Sequence, residues 1–190
     1  MKLRNARYLS HDFIDSLLQE GDIAVDATAG NGHDTLYLAQ KVGERGHVYA
    51  FDVQQAALDS TKERLAENGI PEGRVTLILS GHERMADYVK EPVRCVLFNL
   101  GWLPSGDHSV TTRVPTTLAA VEAACGLLLP GGMVSVCVYP GHEEGTRELR
   151  ALEEALAGLD IREYNVLHGN FVNQRENAPQ VYLIQRDESL

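Results

Sequence analysis

The 190-residue sequence predicts an α/β fold: a mostly parallel seven-stranded sheet, helices on both faces, and a C-terminal antiparallel hairpin. Three observations lead there. Short apolar runs bounded by turn residues alternate with segments of helical periodicity, the pattern of strand–helix units that feed a parallel sheet. The first unit, Ile23-Ala24-Val25-Asp26-Ala27-Thr28-Ala29-Gly30-Asn31-Gly32-His33-Asp34, ends a strand in an acid and passes two glycines into a helix. The last two strand-like runs, Tyr164–His168 and Gln180–Gln185, are too close for a parallel crossover, which needs about a dozen residues or more, and so pair antiparallel.

Taken in order, the first helix is predicted over Ser10–Gln19, with Ser10 as its cap and Phe13, Ile14, Leu17 and Leu18 on one face. Strand one covers Asp22–Ala27, and a helix runs from His33 to Val42. The run His47–Phe51 is strand two and ends at Asp52. A helix over Gln54–Asn68 stops at Gly69, a residue suited to a helix C-terminus. Strand three is Arg74–Leu79, a short helix spans Glu83–Val89, and strand four is Val93–Asn99. Thr116–Leu129 is helical and is stopped by Pro130-Gly131-Gly132. Met133–Tyr139 is strand five, and Glu143–Leu159 is a helix.

The length fits one domain, residues 1–190, since domains hold roughly 100–200 residues. No apolar stretch approaches the roughly 20 residues of a bilayer-crossing helix, and Met1-Lys2-Leu3-Arg4-Asn5 is not a signal peptide. A cytoplasmic protein without membrane association is expected. Cys95, Cys125 and Cys137 lie in apolar segments and read as reduced core residues. The histidines include no His-x-x-x-His pair, and no metal site is expected. A net charge of −10 argues against generic coating of nucleic acid but leaves room for a local basic patch. Lys2, Arg4 and Arg7 cluster at the start, and Arg147 and Arg150 share a helix; such clusters are more often solvated faces than binding patches.

Gly30 and Gly32 let the main chain approach a ligand closely. The third glycine of a dinucleotide fingerprint is absent, because position 35 is Thr35, and there is no Gly-Lys-Ser or Gly-Lys-Thr. The loop also lacks Lys and Arg neighbours in sequence, so a pyrophosphate has no evident partner. Asp26 and Asp34 suit an amine-bearing ligand, and Asp52, one strand later, suits a ribose diol because an ionised carboxylate accepts two hydroxyl bonds. S-adenosyl-L-methionine meets these demands: it has an amino acid, a sulfonium and a ribose, and no phosphate. The expected cofactor-binding set is Asp26, Ala29, Gly30, Asn31, Gly32, Asp34, Asp52 and Gln54, joined by Ser80 and His82 in the turn beside the adenine. The simpler alternative is a tight turn without a ligand.

Strand four leads into Phe98-Asn99-Leu100-Gly101-Trp102-Leu103-Pro104, which resembles the loop of amino-group methyltransferases. The carbonyl oxygen of Asn99 can accept a hydrogen bond from an attacking amine and turn its lone pair toward the methyl group. Trp102 either stacks on a flat base, a contact worth about 1–3 kcal/mol, or packs in the core. In the polar stretch Ser105–Thr112, Asp107 or His108 is the candidate proton acceptor, and a plain solvated loop is the alternative. Tyr139-Pro140-Gly141-His142 and the hairpin residues Asn170, Asn173, Gln174 and Asn177 are candidates for the substrate side.

These motifs together resemble the bacterial family of rRNA-methylase-type, YtqB-like proteins associated with tRNA modification (MnmM), over nearly the whole chain. The glycine loop alone would indicate only a class I methyltransferase with its Rossmann-like sheet. The resemblance implies S-adenosylmethionine-dependent methylation of 5-aminomethyl-2-thiouridine at the wobble position, in the anticodon stem-loop of tRNA. The chain departs from the family pattern at Trp102, where Tyr is usual, and at Ser105, where Gly is usual. Three alternatives remain: methylation of rRNA, methylation of a small amine, or a non-catalytic cofactor-binding module. An acidic chain acting on an anionic substrate needs a basic strip from distant segments, and a homodimer is one way to assemble it.

Overall fold

A computed structural model describes residues 4–102 and 110–189. Seven strands form one sheet in the order β3-β2-β1-β4-β5-β7-β6. The strands are β1 (Ile23–Asp26), β2 (His47–Asp52), β3 (Val75–Leu79), β4 (Val93–Asn99), β5 (Leu128–Val138), β6 (Tyr164–Gly169) and β7 (Gln180–Arg186). The first five are parallel; β7 runs antiparallel to both β5 and β6, as the short connection requires.

Side-chain alternation gives the sheet two apolar faces. On one, Val25, Phe51, Val96, Phe98, Val134 and Val136 pack under the helices α4 (Met85–Tyr88), α5 (Val114–Leu127) and α6 (Glu143–Ala157). On the other, Ala24, Val48, Cys95 and Leu97 meet α1 (Ala6–Leu17) and α2 (His33–Val42), while α3 (Gln55–Glu67) covers Ala50 through Leu58. All three cysteines are buried free thiols.

Two local expectations are corrected. Ser10 does not cap the first helix: Asn5 does, its side chain accepting from the Tyr8 N–H at 3.0 Å. Ser10 lies buried inside α1, its hydroxyl 2.6 Å from that of Ser135, and so ties the helix to β5. Pro130-Gly131-Gly132 lies within β5 rather than before it. Leu128 pairs with Val93, the register then slips, and pairing resumes at Cys95 and Met133. Gly131, at φ +73°, supplies the left-handed step that the irregularity needs.

Candidate active site

A cavity of about 610 Å³ opens beyond the carboxyl ends of β1, β2, β4 and β5, where ligands of open parallel sheets lie. It has two differently constructed halves.

The first half is largely main chain. Asp52, at the tip of β2, accepts the Gly30 N–H on Oδ2 (3.0 Å) and the Gln54 N–H on Oδ1 (2.9 Å). Each oxygen retains acceptor capacity, as a carboxylate with about four lone-pair sites allows. The N–H groups of Thr28, Ala29, Gly30 and Gly32 are taken by Asp26, Phe51, Asp52 and Ala29 respectively. These amides are thus withheld from a phosphate, so this half suits a diol-bearing, phosphate-free nucleoside. Val53, more than half exposed, lends the cavity an apolar wall that sequence reasoning missed. Ala29, Asn31, Gln54, Ser80 and His82 also line it. His82 is buried, its Nδ1 lies 3.3 Å from the Ala27 carbonyl, and burial lowers its pKa.

Of the other expected cofactor residues, Asp26 and Gly32 lie off the cavity wall and Asp34 lines it. Asp26 does not line the cavity; it lies fully buried beneath the loop, accepting from Thr28 N–H (3.1 Å) and Thr35 Oγ1 (2.6 Å). Burial, reinforced by the charge of Asp34, pushes its pKa up to about 7. Gly32 is also off the cavity wall. Its φ is +75°, and a Cβ there would fall 2.8 Å from the Thr61 Cα, so its glycine serves packing against α3. Asp34 does line the cavity, but its carboxylate is engaged by protein groups. Arg7 donates to Oδ1 from Nε (2.9 Å) and Nη2 (2.5 Å), His11 Nε2 lies 3.0 Å from Oδ1, and Asn99 Nδ2 donates to Oδ2 at 2.6 Å. Burial opposes ionisation, yet the bonds from His11 and Arg7 and their charge outweigh it and hold the pKa at about 2. The expectation of a loop without cations is therefore corrected: Arg7 arrives from α1, and Arg64 of α3 donates to the Asn31 carbonyl at 2.6 Å. No spacing in the sequence joins Arg7 to Asp34, 27 residues apart.

The second half is built from side chains. Asn99 ends β4, its main-chain N–H donating to Thr28 Oγ1 at 2.8 Å. The Tyr139 hydroxyl, from the tip of β5, lies 3.4 Å from Asn99 Oδ1. Trp102 is half-buried against the cavity, its ring centroid 4.3 Å from that of His142. His142 caps α6, its Nδ1 accepting the Gly145 N–H at 3.1 Å. Gly101 and Thr112 close the base of the loop carrying Trp102: Gly101 N–H donates to Thr112 Oγ1 (2.8 Å), and Thr112 N–H to the Gly101 carbonyl (3.1 Å). Thr112 and Thr117 in turn donate to Glu148, a buried carboxylate of α6, at 3.0 and 2.6 Å. Burial raises the pKa of Glu148 against those two bonds. Glu148 escaped the sequence reading, although its i, i+4, i+8 register with the buried Leu152 and Leu156 was a signal.

Asp107 and His108 lie outside the described residues. Asn170, Asn173, Gln174 and Asn177 are exposed and do not line the cavity. Among the described residues no group of His, Cys, Asp or Glu could hold a metal ion, and no helix is long and apolar enough to cross a membrane.

Strand order, antiparallel β7 and a carboxylate-tipped β2 facing a glycine loop define the class I methyltransferase fold. Residues 48–185 match the family model described as "Putative rRNA methylase", and the chain belongs to that family. A crystal structure from Clostridium thermocellum bearing the same description superposes with a TM-score of 0.95 at 42% identity, covering 98% of this chain and 100% of the other. SMU.1697c from Streptococcus mutans, solved in complex with SAH, gives 0.88 at 38% identity over 97% and 99% of the two chains. The Arabidopsis thaliana tRNA (mnm(5)s(2)U34)-methyltransferase, chloroplastic, is 36% identical over 193 residues, covering 97% of this chain and 70% of that protein.

Proposed function

We propose that this protein is an S-adenosyl-L-methionine-dependent methyltransferase of tRNA. It converts 5-aminomethyl-2-thiouridine at the wobble position to its 5-methylaminomethyl form. The observation that carries the reading is Asn99. Its amide nitrogen donates to an ionised carboxylate, leaving Oδ1 as an acceptor at the cavity wall. An acceptor there suits a nucleophile with N–H groups to donate. The relative from Arabidopsis thaliana is named for this modified nucleoside.

The cofactor, when bound, supplies a methyl group on a sulfonium, a donor needing no further activation. Asp52 holds its ribose hydroxyls, Gly30 and Asn31 border its amino-acid end, and Ser80, His82 and Val53 border the adenine. Asn99 Oδ1 takes a hydrogen bond from the neutral amine and aims the nitrogen lone pair at the methyl carbon. The N–C bond forms as the C–S bond breaks, the electron pair stays on sulfur, and the product ammonium loses its proton to solvent or to the loop of Asp107 and His108. Trp102, braced by His142, faces the base. Alignment of this kind supplies up to about 7–11 kcal/mol of barrier lowering, so placement carries most of the catalysis.

The substrate is the anticodon stem-loop, and the working site is the cytoplasm, where free thiols such as Cys95, Cys125 and Cys137 persist. A homodimer is the assembly that would gather basic surface from an acidic chain; sedimentation showing an active monomer would exclude it. The deciding experiment incubates the protein with S-adenosylmethionine and tRNA from cells lacking its gene, followed by nucleoside mass spectrometry. Conversion of 5-aminomethyl-2-thiouridine to its N-methyl product is expected. Cofactor binding without conversion would overturn the substrate and direct attention to rRNA or small amines.

A further inference from the structure

We infer that Asp34 is a positioning residue that acts through Asn99, fixing the amide so that Oδ1 rather than the NH2 group faces the substrate amine. This deepens the reading above and rests on Asn99 orienting that amine.

The argument is one of donors and acceptors. An ionised carboxylate only accepts hydrogen bonds, whereas a primary amide has one accepting and one donating end. Asp34 Oδ2 lies 2.6 Å from Asn99 Nδ2, so the NH2 group must face Asp34, and the carbonyl oxygen takes the opposite direction. The Tyr139 hydroxyl, 3.4 Å from Oδ1, fits the same orientation by donating to it. With the amide reversed, the Asn99 NH2 group would donate to the lone pair of the neutral amine and tie up the electrons that must attack the methyl carbon.

The geometry also speaks against Asp34 as the contact for the cofactor's amino group. Its side chain is buried, and it already receives Arg7 Nε and Nη2, His11 and Asn99, with a longer contact of 3.3 Å from Arg7 Nε to Oδ2. Oδ1 is taken up by Arg7 and His11, and Oδ2 by Asn99 with the longer Arg7 contact beside it, so these protein donors use most of the acceptor capacity of the carboxylate. Arg7 and His11 come from successive turns of α1, and the His11 ring lies flat on Tyr37, centroids 4.0 Å apart at 5°. The amide orientation at the tip of β4 is thereby set, through Asp34, by Arg7 and His11 of α1. The main chain of Asn99 is held separately, through Thr28. Loss of Asp34 therefore frees the amide without moving the strand tip.

The test compares Asp34→Ala, Asn99→Ala and the double variant, using kcat on aminomethyl-bearing tRNA, calorimetric affinity for S-adenosylhomocysteine, and the Asn99 side-chain amide signal in NMR. If Asp34 works through Asn99, Asp34→Ala lowers kcat about tenfold or more, and the double variant is no slower than Asn99→Ala within about twofold. Affinity for S-adenosylhomocysteine changes by less than about threefold, since no cofactor contact is removed. Multiplicative kcat losses, or affinity weakened about tenfold, would overturn the inference and return Asp34 to the cofactor. The NMR arm needs no substrate and so survives failure of the tRNA assignment. In the wild type the Asn99 amide protons should exchange slowly, and in Asp34→Ala that protection should be lost. Unchanged protection would sink the proposal. If Asp34→Ala lacks a cooperative melt, Asp34→Ser is measured in the same way.

Discussion

The two halves of the cavity solve the same problem, holding a polar ligand still, by different means. The Asp52 half is held by main-chain N–H groups and by Gly32 packed against α3, and its central contacts lie within two successive strand–turn units. The Asn99 half is held by side chains from α1, α2, β5 and α6 that meet only after folding. Backbone-built sites are rigid and tolerate variation around them. Side-chain-built sites allow a new substrate to be chosen while the cofactor half stays the same.

The contrast can be broken most sharply at Asn99. Asn99→Ala should lower kcat by about 10²–10³, as removal of a side chain that stabilises developing charge does elsewhere, while affinity for S-adenosylhomocysteine stays near that of the wild type. Equal losses in both would mean that the halves are not separable. At the other end, Asp52→Ala removes charge-assisted hydrogen bonds worth about 1.5–3 kcal/mol. Calorimetry should show S-adenosylhomocysteine binding weakened by an order of magnitude or more, and unchanged binding would remove Asp52 from the site.

Gly32→Ala probes the packing beneath the backbone half. A side chain at φ +75° and 2.8 Å from the Thr61 Cα should cost about 1–3 kcal/mol of stability, visible as a lower denaturation midpoint. A midpoint equal to that of the wild type would show that α3 can yield.

The smallest effect is a pH slope from Asp26. Its folded pKa of about 7 lies above the ordinary aspartate value of 3.8, so the folded chain holds a proton that the unfolded chain releases. Its contribution to stability is greatest below about pH 4 and is lost as pH rises through 7, at up to about 1.4 kcal/mol per pH unit. Asp34 works with the opposite sign: its pKa of about 2 gives stability above 3.8 that is lost on acidification toward 2. Asp26→Asn should flatten the slope between pH 4 and 7 in thermal melts, whereas an unchanged slope would assign it to other groups.

The sequence alone determined the strand–helix alternation, the antiparallel ending, the glycine turn and the acid of β2. Each is encoded within one or two adjacent segments, through side-chain periodicity, main-chain conformation or connection length. It also made Asn99 legible as the tip of its strand. Tertiary structure decided what the acids of the loop do. Asp26 and Asp34 look alike in sequence, yet one is sunk beneath the turn on Thr35 and the other is clamped by Arg7 and His11 and pinned to Asn99. Tertiary structure also recruited Glu148, through Thr112 and Thr117, to brace the loop of Trp102. The physical reason is range. Periodicity, turn chemistry and capping act over a few residues, whereas the partner of a buried charge is chosen by whichever element packs above it. No local pattern carries that choice.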